Sequence, residues 1–161
     1  MKIFSAIIAA FSVCVLVVSC SHPTTTPPPN PSSGPFTMAA SVDGNAYSAG
    51  ASMTVNHIAT NYYVVLQSTA SGNRSMTLTF IFPTNSTFPK NLTQSQFSGS
   101  YDESGASYQD SAASASVTVN SFTYSYADTT FSADFSFKAP GGVTGGTISI
   151  KNITGGTVRT N

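Results

Sequence analysis

The side chains that could carry chemistry are few. Glu103 is the one glutamate of the chain and stands directly after Asp102. A hydrolase needs a nucleophile with a base, or two carboxylates facing each other across a substrate. Neighbours on a strand point to opposite faces, so Asp102 and Glu103 form no acid–base pair by themselves. Asp43, Asp110, Asp128 and Asp134 fall in or near expected turns or on outward faces, where turn formation and solvation account for them. His57 shares strand parity with Met53 and Val55 and is expected at a core edge. The other histidine, His22, lies in a proline-rich stretch, and both cysteines lie within the first twenty residues. His57 therefore gains no second histidine or thiol for a zinc site. No phosphate-cradling loop, CxxC pair or acidic calcium loop occurs. No catalytic residue, metal or cofactor is expected.

Aromatic side chains remain as candidates for binding. Tyrosine presents a flat apolar face on which a sugar ring stacks, while its hydroxyl stays wet. Tyr62, Tyr63, Tyr124 and Tyr126 are the candidate ligand-binding residues, with Tyr101 and Tyr108 as further members of a platform. The competing reading is that tyrosine is simply a good strand former. Pro83 to Gln96 is a polar stretch long for a compact domain; it is either a binding loop or a Greek-key crossover.

Charge narrows the partners. Charged residues are only 7% of the chain, where a quarter is usual in soluble domains. Without Lys2, five basic residues face six acidic ones. No basic patch can neutralise phosphates, which excludes nucleic acid as a partner.

The first residues give an address. Lys2 precedes an apolar run from Ile3 to Val18 broken only by Ser5 and Ser12, the layout of a signal peptide. The run ends in Leu16-Val17-Val18-Ser19-Cys20, which resembles the lipobox of bacterial lipoproteins. That resemblance implies cleavage after residue 19 and lipidation of Cys20, hence a membrane partner through a lipid anchor. Residues 20–35 then read as a lipidated cysteine and a Pro/Ser/Thr-rich tether, with little apolar to bury. With Cys14 removed and Cys20 modified, no thiol remains for the fold. The chain lacks a retention signal at Ser21 and acidic residues in the tether, so the expected location is the periplasmic face of an outer membrane.

From Phe36 the pattern has period two. Met76, Leu78, Phe80 and Phe82 alternate with polar or smaller neighbours, as do Phe131, Ala133, Phe135 and Phe137. Such alternation marks antiparallel strands with one buried face. Tyr62-Tyr63-Val64-Val65-Leu66 is apolar on both faces and predicts a central strand. Val117 and Val119 share one parity, but Phe122, Tyr124 and Tyr126 have the other; one inserted residue near Asn120-Ser121, a β-bulge, reconciles them, the alternative being an aromatic strip that faces solvent or ligand. Val143-Thr-Gly-Gly-Thr-Ile148 and Ile153-Thr-Gly-Gly-Thr-Val158 repeat after ten residues and read as two turns around the strand between Ile148 and Ile153. Residues 36–161 are therefore expected to form one all-β domain. Its predicted architecture is an antiparallel β-sandwich of about eight or nine strands, with a lipocalin-like β-barrel as the alternative.

Phe36-Thr-Met-Ala-Ala-Ser-Val42-Asp43-Gly44-Asn-Ala-Tyr47-Ser-Ala49 resembles the opening of a family of uncharacterised Bacteroidota envelope lipoproteins. Gly99-Ser-Tyr101, Phe131 to Ala139 and Ile148 to Gly156 resemble later segments of the same family, with Tyr47 where tryptophan is common and Ala133 where glycine is common. The resemblance implies an all-β domain in the envelope and no assigned activity. Asp110-Ser111-Ala112 and Asp128-Thr129-Thr130 resemble the short O-glycosylation acceptor of Bacteroidota envelope proteins. The expected function is a membrane-tethered, non-catalytic binding or structural module, whose partner is a glycan or another envelope protein. An envelope hydrolase and a small-ligand carrier with a barrel cavity are the alternatives.

Overall fold

The computed structural model describes residues 36–70, 72–109, 114–125, 128–144 and 147–161. Cys20 and Tyr126 lie outside the described residues, as do the whole apolar run and the tether. The described residues form ten strands and one 3-10 turn. The strands are β1 (Phe36–Val42), β2 (Asn45–Ile58), β3 (Asn61–Ala70), β4 (Arg74–Pro83), β5 (Lys90–Leu92), β6 (Phe97–Glu103), β7 (Ala106–Gln109), β8 (Ser116–Tyr124), β9 (Thr129–Thr144) and β10 (Thr147–Thr160), and the turn spans Gln94–Gln96.

All neighbours are antiparallel. The order β10-β1-β2-β3-β4-β6-β7-β9 closes on itself because β9 also pairs with β10. The fold is thus all-β and antiparallel, with a ring of eight strands that gives it a barrel-like closure. β9 is long enough to serve two partners on one edge. Its first half, Thr129 to Ser136, pairs with β8, and Gly141 pairs with Tyr108 of β7. β5 extends the sheet beyond β8.

Alternation explains the core. Met76, Leu78, Phe80 and Phe82 are all buried, as are Phe131, Ala133, Phe135 and Phe137 on the opposite wall. Their rings meet across the interior: Phe80 lies 5.0 Å from Phe131 and 5.4 Å from Phe97, centroid to centroid. Each such side chain contributes roughly 1.5–3 kcal/mol by leaving water. The middle of the ring is filled by side chains, as in other small barrels.

The predicted bulge lies where the aromatic phase changes, between Val119 and Ser121 against β9. It lets Val117 and Val119, then Phe122 and Tyr124, face the same interior. The stretch from Pro83 to Gln96 is a crossover with structure of its own. It carries the chain to β5 beside β8, then through the 3-10 turn back to β6 beside β4.

The described residues carry ten strands where about eight or nine are expected, and two of the ten, β5 and β7, are too short to show a period. One expectation changes. Thr154-Gly155-Gly156 is no turn: β10 runs through it to Thr160, with a register shift between Ile153 and Gly156. The two glycines differ in what they supply. Gly155 adopts φ 56°, a left-handed backbone that glycine favours and asparagine tolerates, whereas a Cβ on Gly156 would lie 2.3 Å from Cε2 of Phe135.

Candidate functional site

The antiparallel order gives the ring two ends with different contents. One end holds the β1–β2, β3–β4, β6–β7 and β9–β10 connections; the other holds the β2–β3 turn, the crossover after β4, the β8–β9 turn and the start of β1. Aromatic candidates gather at the second end and ionic groups at the first.

At the aromatic end Tyr62 is the hub. It pairs in register with His57 on β2 and Phe82 on β4, so all three side chains stand on one face. The Tyr62 ring lies 5.2 Å from His57, 6.2 Å from Phe82, 5.1 Å from Phe122 and 6.0 Å from Tyr124. Phe122 and Tyr124 reach it from β8 because the bulge has reset their phase. They lie nearly parallel, 7° apart, with centroids 6.2 Å from one another. Phe88, from the crossover, covers Phe82 at 5.4 Å. Edge-to-face and offset contacts of this kind stabilise by about 0.5–1.5 kcal/mol per pair beyond area burial. Tyr62 and Tyr124 are half-buried and His57 is exposed, so the cluster shows an aromatic rim to solvent. Thr129, the register partner of Tyr124, is buried with its hydroxyl unpartnered.

The structure therefore brings Tyr62 and Tyr124 together and leaves Tyr63 out. Tyr63 has the opposite parity, between Asn56 and Ile81. Tyr101 is fully buried and packs edge-on against Tyr47 at 6.1 Å; it belongs to the core rather than to a platform. His57 does sit at the edge of the core, as its parity predicts. Burial of Thr129 also closes off the hydroxyl of the Asp128-Thr129-Thr130 acceptor pattern; Asp110-Ser111-Ala112 lies outside the described residues.

At the ionic end Lys151 of β10 lies 2.8 Å from Glu103 and 3.3 Å from Asp43. Its ammonium also sits 5.4 Å from the centroid of Tyr108. The Asn152 amide donates to Asp43 at 2.8 Å, and this bond, with Lys151, holds the Asp43 carboxyl below its usual range. Lys151 lowers Glu103 as well, helped by the Tyr101 hydroxyl, which donates to it at 3.1 Å. Glu103 and then Asp43 raise Lys151 in return. Burial, reinforced by Glu103, pushes the Tyr101 phenol up to about 12. Asp102 points the other way and accepts from Ser75 at 3.4 Å.

Asp102, Glu103 and His57 are thus separated: the first two stand on opposite faces of β6, and His57 lies at the other end of the ring. Lys151 was not singled out by sequence, although its parity with buried Ile153 marks it as an inward-facing cation. A second charged cluster stands on the outer wall, where Arg159 pairs with Asp134 and Asn120 donates to the same carboxylate at 2.8 Å. Asp134 is lowered by Arg159 first and Asn120 second. Among the described residues no three His, Cys, Asp or Glu side chains converge as a metal site would require, and no helix is long and apolar enough to cross a membrane.

Comparison with protein-family models, with curated proteins and with solved structures finds no match to this chain.

Proposed function

We propose that the protein is a membrane-tethered, non-catalytic binding module of a bacterial envelope. In this reading Cys20 carries the lipid on the periplasmic side of an outer membrane, and the relatives are the Bacteroidota lipoproteins it resembles. The observation that carries the binding half is the rim formed by Tyr62 and Tyr124, two half-buried rings 6.0 Å apart, backed by Phe82 and Phe122. Such a rim suits the flat face of a neutral glycan. General acid–base catalysis requires two positioned groups, and the separation of His57 from Asp102 and Glu103 favours binding over hydrolysis. Side chains filling the ring favour surface recognition over the enclosure of a small ligand.

A glycan array and a panel of glycosidase and esterase substrates, run on the same protein, test this reading. Binding without turnover is expected, nearly independent of salt because so little charge is available to screen. Tyr62→Ala should weaken array binding while Tyr63→Ala leaves it unchanged. Turnover that persists on repurification and disappears in His57→Ala or Glu103→Gln would replace the binding module with an enzyme.

A further inference from the structure

The bulge in β10 leaves the outer wall thin at one place. Ile153 stands opposite Phe137 and Gly156 opposite Phe135, so on the β9 side two residues of β10, Thr154 and Gly155, stand against one, Ser136. Neither Gly155 nor Gly156 raises a side chain above the sheet. A groove of about 320 Å³ lies there, across β8, β9 and β10. Ser116 pairs with Ser136, and Thr118 with Asp134, which pairs in turn with Thr157. These five polar side chains line the groove. Phe135 belongs to the buried face, so its ring closes the groove from the core side under Gly156.

The lining selects a ligand class. Asp134 is its one charged side chain. Arg159 is committed elsewhere: besides Asp134 it donates to the carbonyls of Ala133 at 2.7 Å and Val158 at 2.8 Å. No cation is among the residues that line the groove to receive a phosphate or carboxylate. One carboxylate is too few for a calcium ion, which takes six or more oxygen ligands. Asp134 is nevertheless a strong acceptor, since a carboxylate offers about four lone-pair sites and Arg159 and Asn120 hold it in place without exhausting them. Its neighbours are hydroxyls that both donate and accept. The volume is at the lower end for small-molecule sites. A neutral, hydroxyl-rich ring meets all of these conditions.

We propose that this groove binds one or two rings of a neutral sugar, with vicinal hydroxyls donating to Asp134 and the remainder exchanging hydrogen bonds with Ser116, Ser136 and Thr157. The site is independent of the Tyr62–Tyr124 rim, and either can fail without the other.

Amide NMR of the full-length protein in detergent, titrated with glucose, galactose, mannose, maltose and cellobiose, tests the proposal. At least one sugar should shift Gly155, Gly156, Thr157 and Ser136 at millimolar concentration, and Tyr62→Ala should leave those shifts unchanged. Gly155→Asn should abolish them at unaltered melting temperature. Asparagine tolerates the left-handed backbone, and a Cβ at Gly155 meets nothing within 4 Å. Thr157→Val, which keeps shape and loses one hydroxyl, should weaken binding by about fivefold, the loss of one net hydrogen bond. The proposal is overturned if none of the five sugars moves these amides, if both variants bind as the wild type does, or if glucuronate binds as well as glucose.

Discussion

Lys151 and Glu103 stand 2.8 Å apart although β10 and β6 share no ladder. The pair, with Asp43, ties the β1–β2 turn and the β6–β7 hairpin to the closing strand. Its worth depends on pH in a definite direction. Glu103 and Asp43 are held below their ordinary values of 4.5 and 3.8. The stability they contribute is complete above those values and is lost as pH falls through the lower folded ones.

The expected result is a melting temperature that falls below about pH 4.5, less steeply in Lys151→Met than in the wild type. At neutral pH the substitution should cost no more than about 1 kcal/mol, since the pair is partly exposed. Equal acid slopes in both proteins would show that these carboxylates are not what the acid limb reports. At the alkaline end Tyr101 works in the opposite sense. Its raised value favours the neutral phenol, so its contribution is intact below 10 and declines towards about 12.

Strand parity can be read from one pair of neighbours. Phe135 is buried and Ser136 points outward. Phe135→Ala should cost roughly 3–5 kcal/mol, while Ser136→Ala should stay within about 0.5 kcal/mol. Denaturant midpoints decide, and the reverse order would mean a register shifted by one.

The period-two pattern made much of this fold legible, because each strand with one wet and one dry face writes its orientation into alternate residues. Met76 to Phe82 shows that directly. The bulge at Asn120 was legible too, since Phe122 and Tyr124 break the parity of Val117 and Val119. Ring closure was not. Which strands become neighbours depends on distant pairings such as β1 with β10 and Tyr108 with Gly141, and no periodicity encodes these. Gly155-Gly156 misled for a related reason: paired glycines signal a turn and a close approach equally well. What separates the two is the Phe135 ring, twenty residues earlier. Of the tyrosines, Tyr62 and Tyr124 could be matched only once β8 was known to face β3.

The same ring sets a sharp test at Gly156. Alanine there places a Cβ against Phe135 within 2.6 Å of three ring carbons, and overpacking of this kind typically costs about 1–3 kcal/mol. Combined with Phe135→Leu, which vacates the ring position, Gly156→Ala should cost less than it does alone. Additive losses in the double variant would show that the two sites do not interact.

Lipidation rests on a single atom, the sulfur of Cys20. In cells fed a labelled fatty acid, Cys20→Ala should lose the label and accumulate as unprocessed precursor. Equal labelling of both proteins would remove the anchor from the proposed function.

Because β9 serves β8 first and β7 only at Gly141, the wall has a seam. Along it the ring is closed by a single register pair, Tyr108 with Gly141, where a Cβ would lie 2.5 Å from the tyrosine ring. Everywhere else around the circumference the ladders run for four pairs or more. Local opening starts where the fewest hydrogen bonds must break. β7 is thus the hinged edge of the barrel, and its amides should exchange with solvent before those of the ladder between β9 and β10.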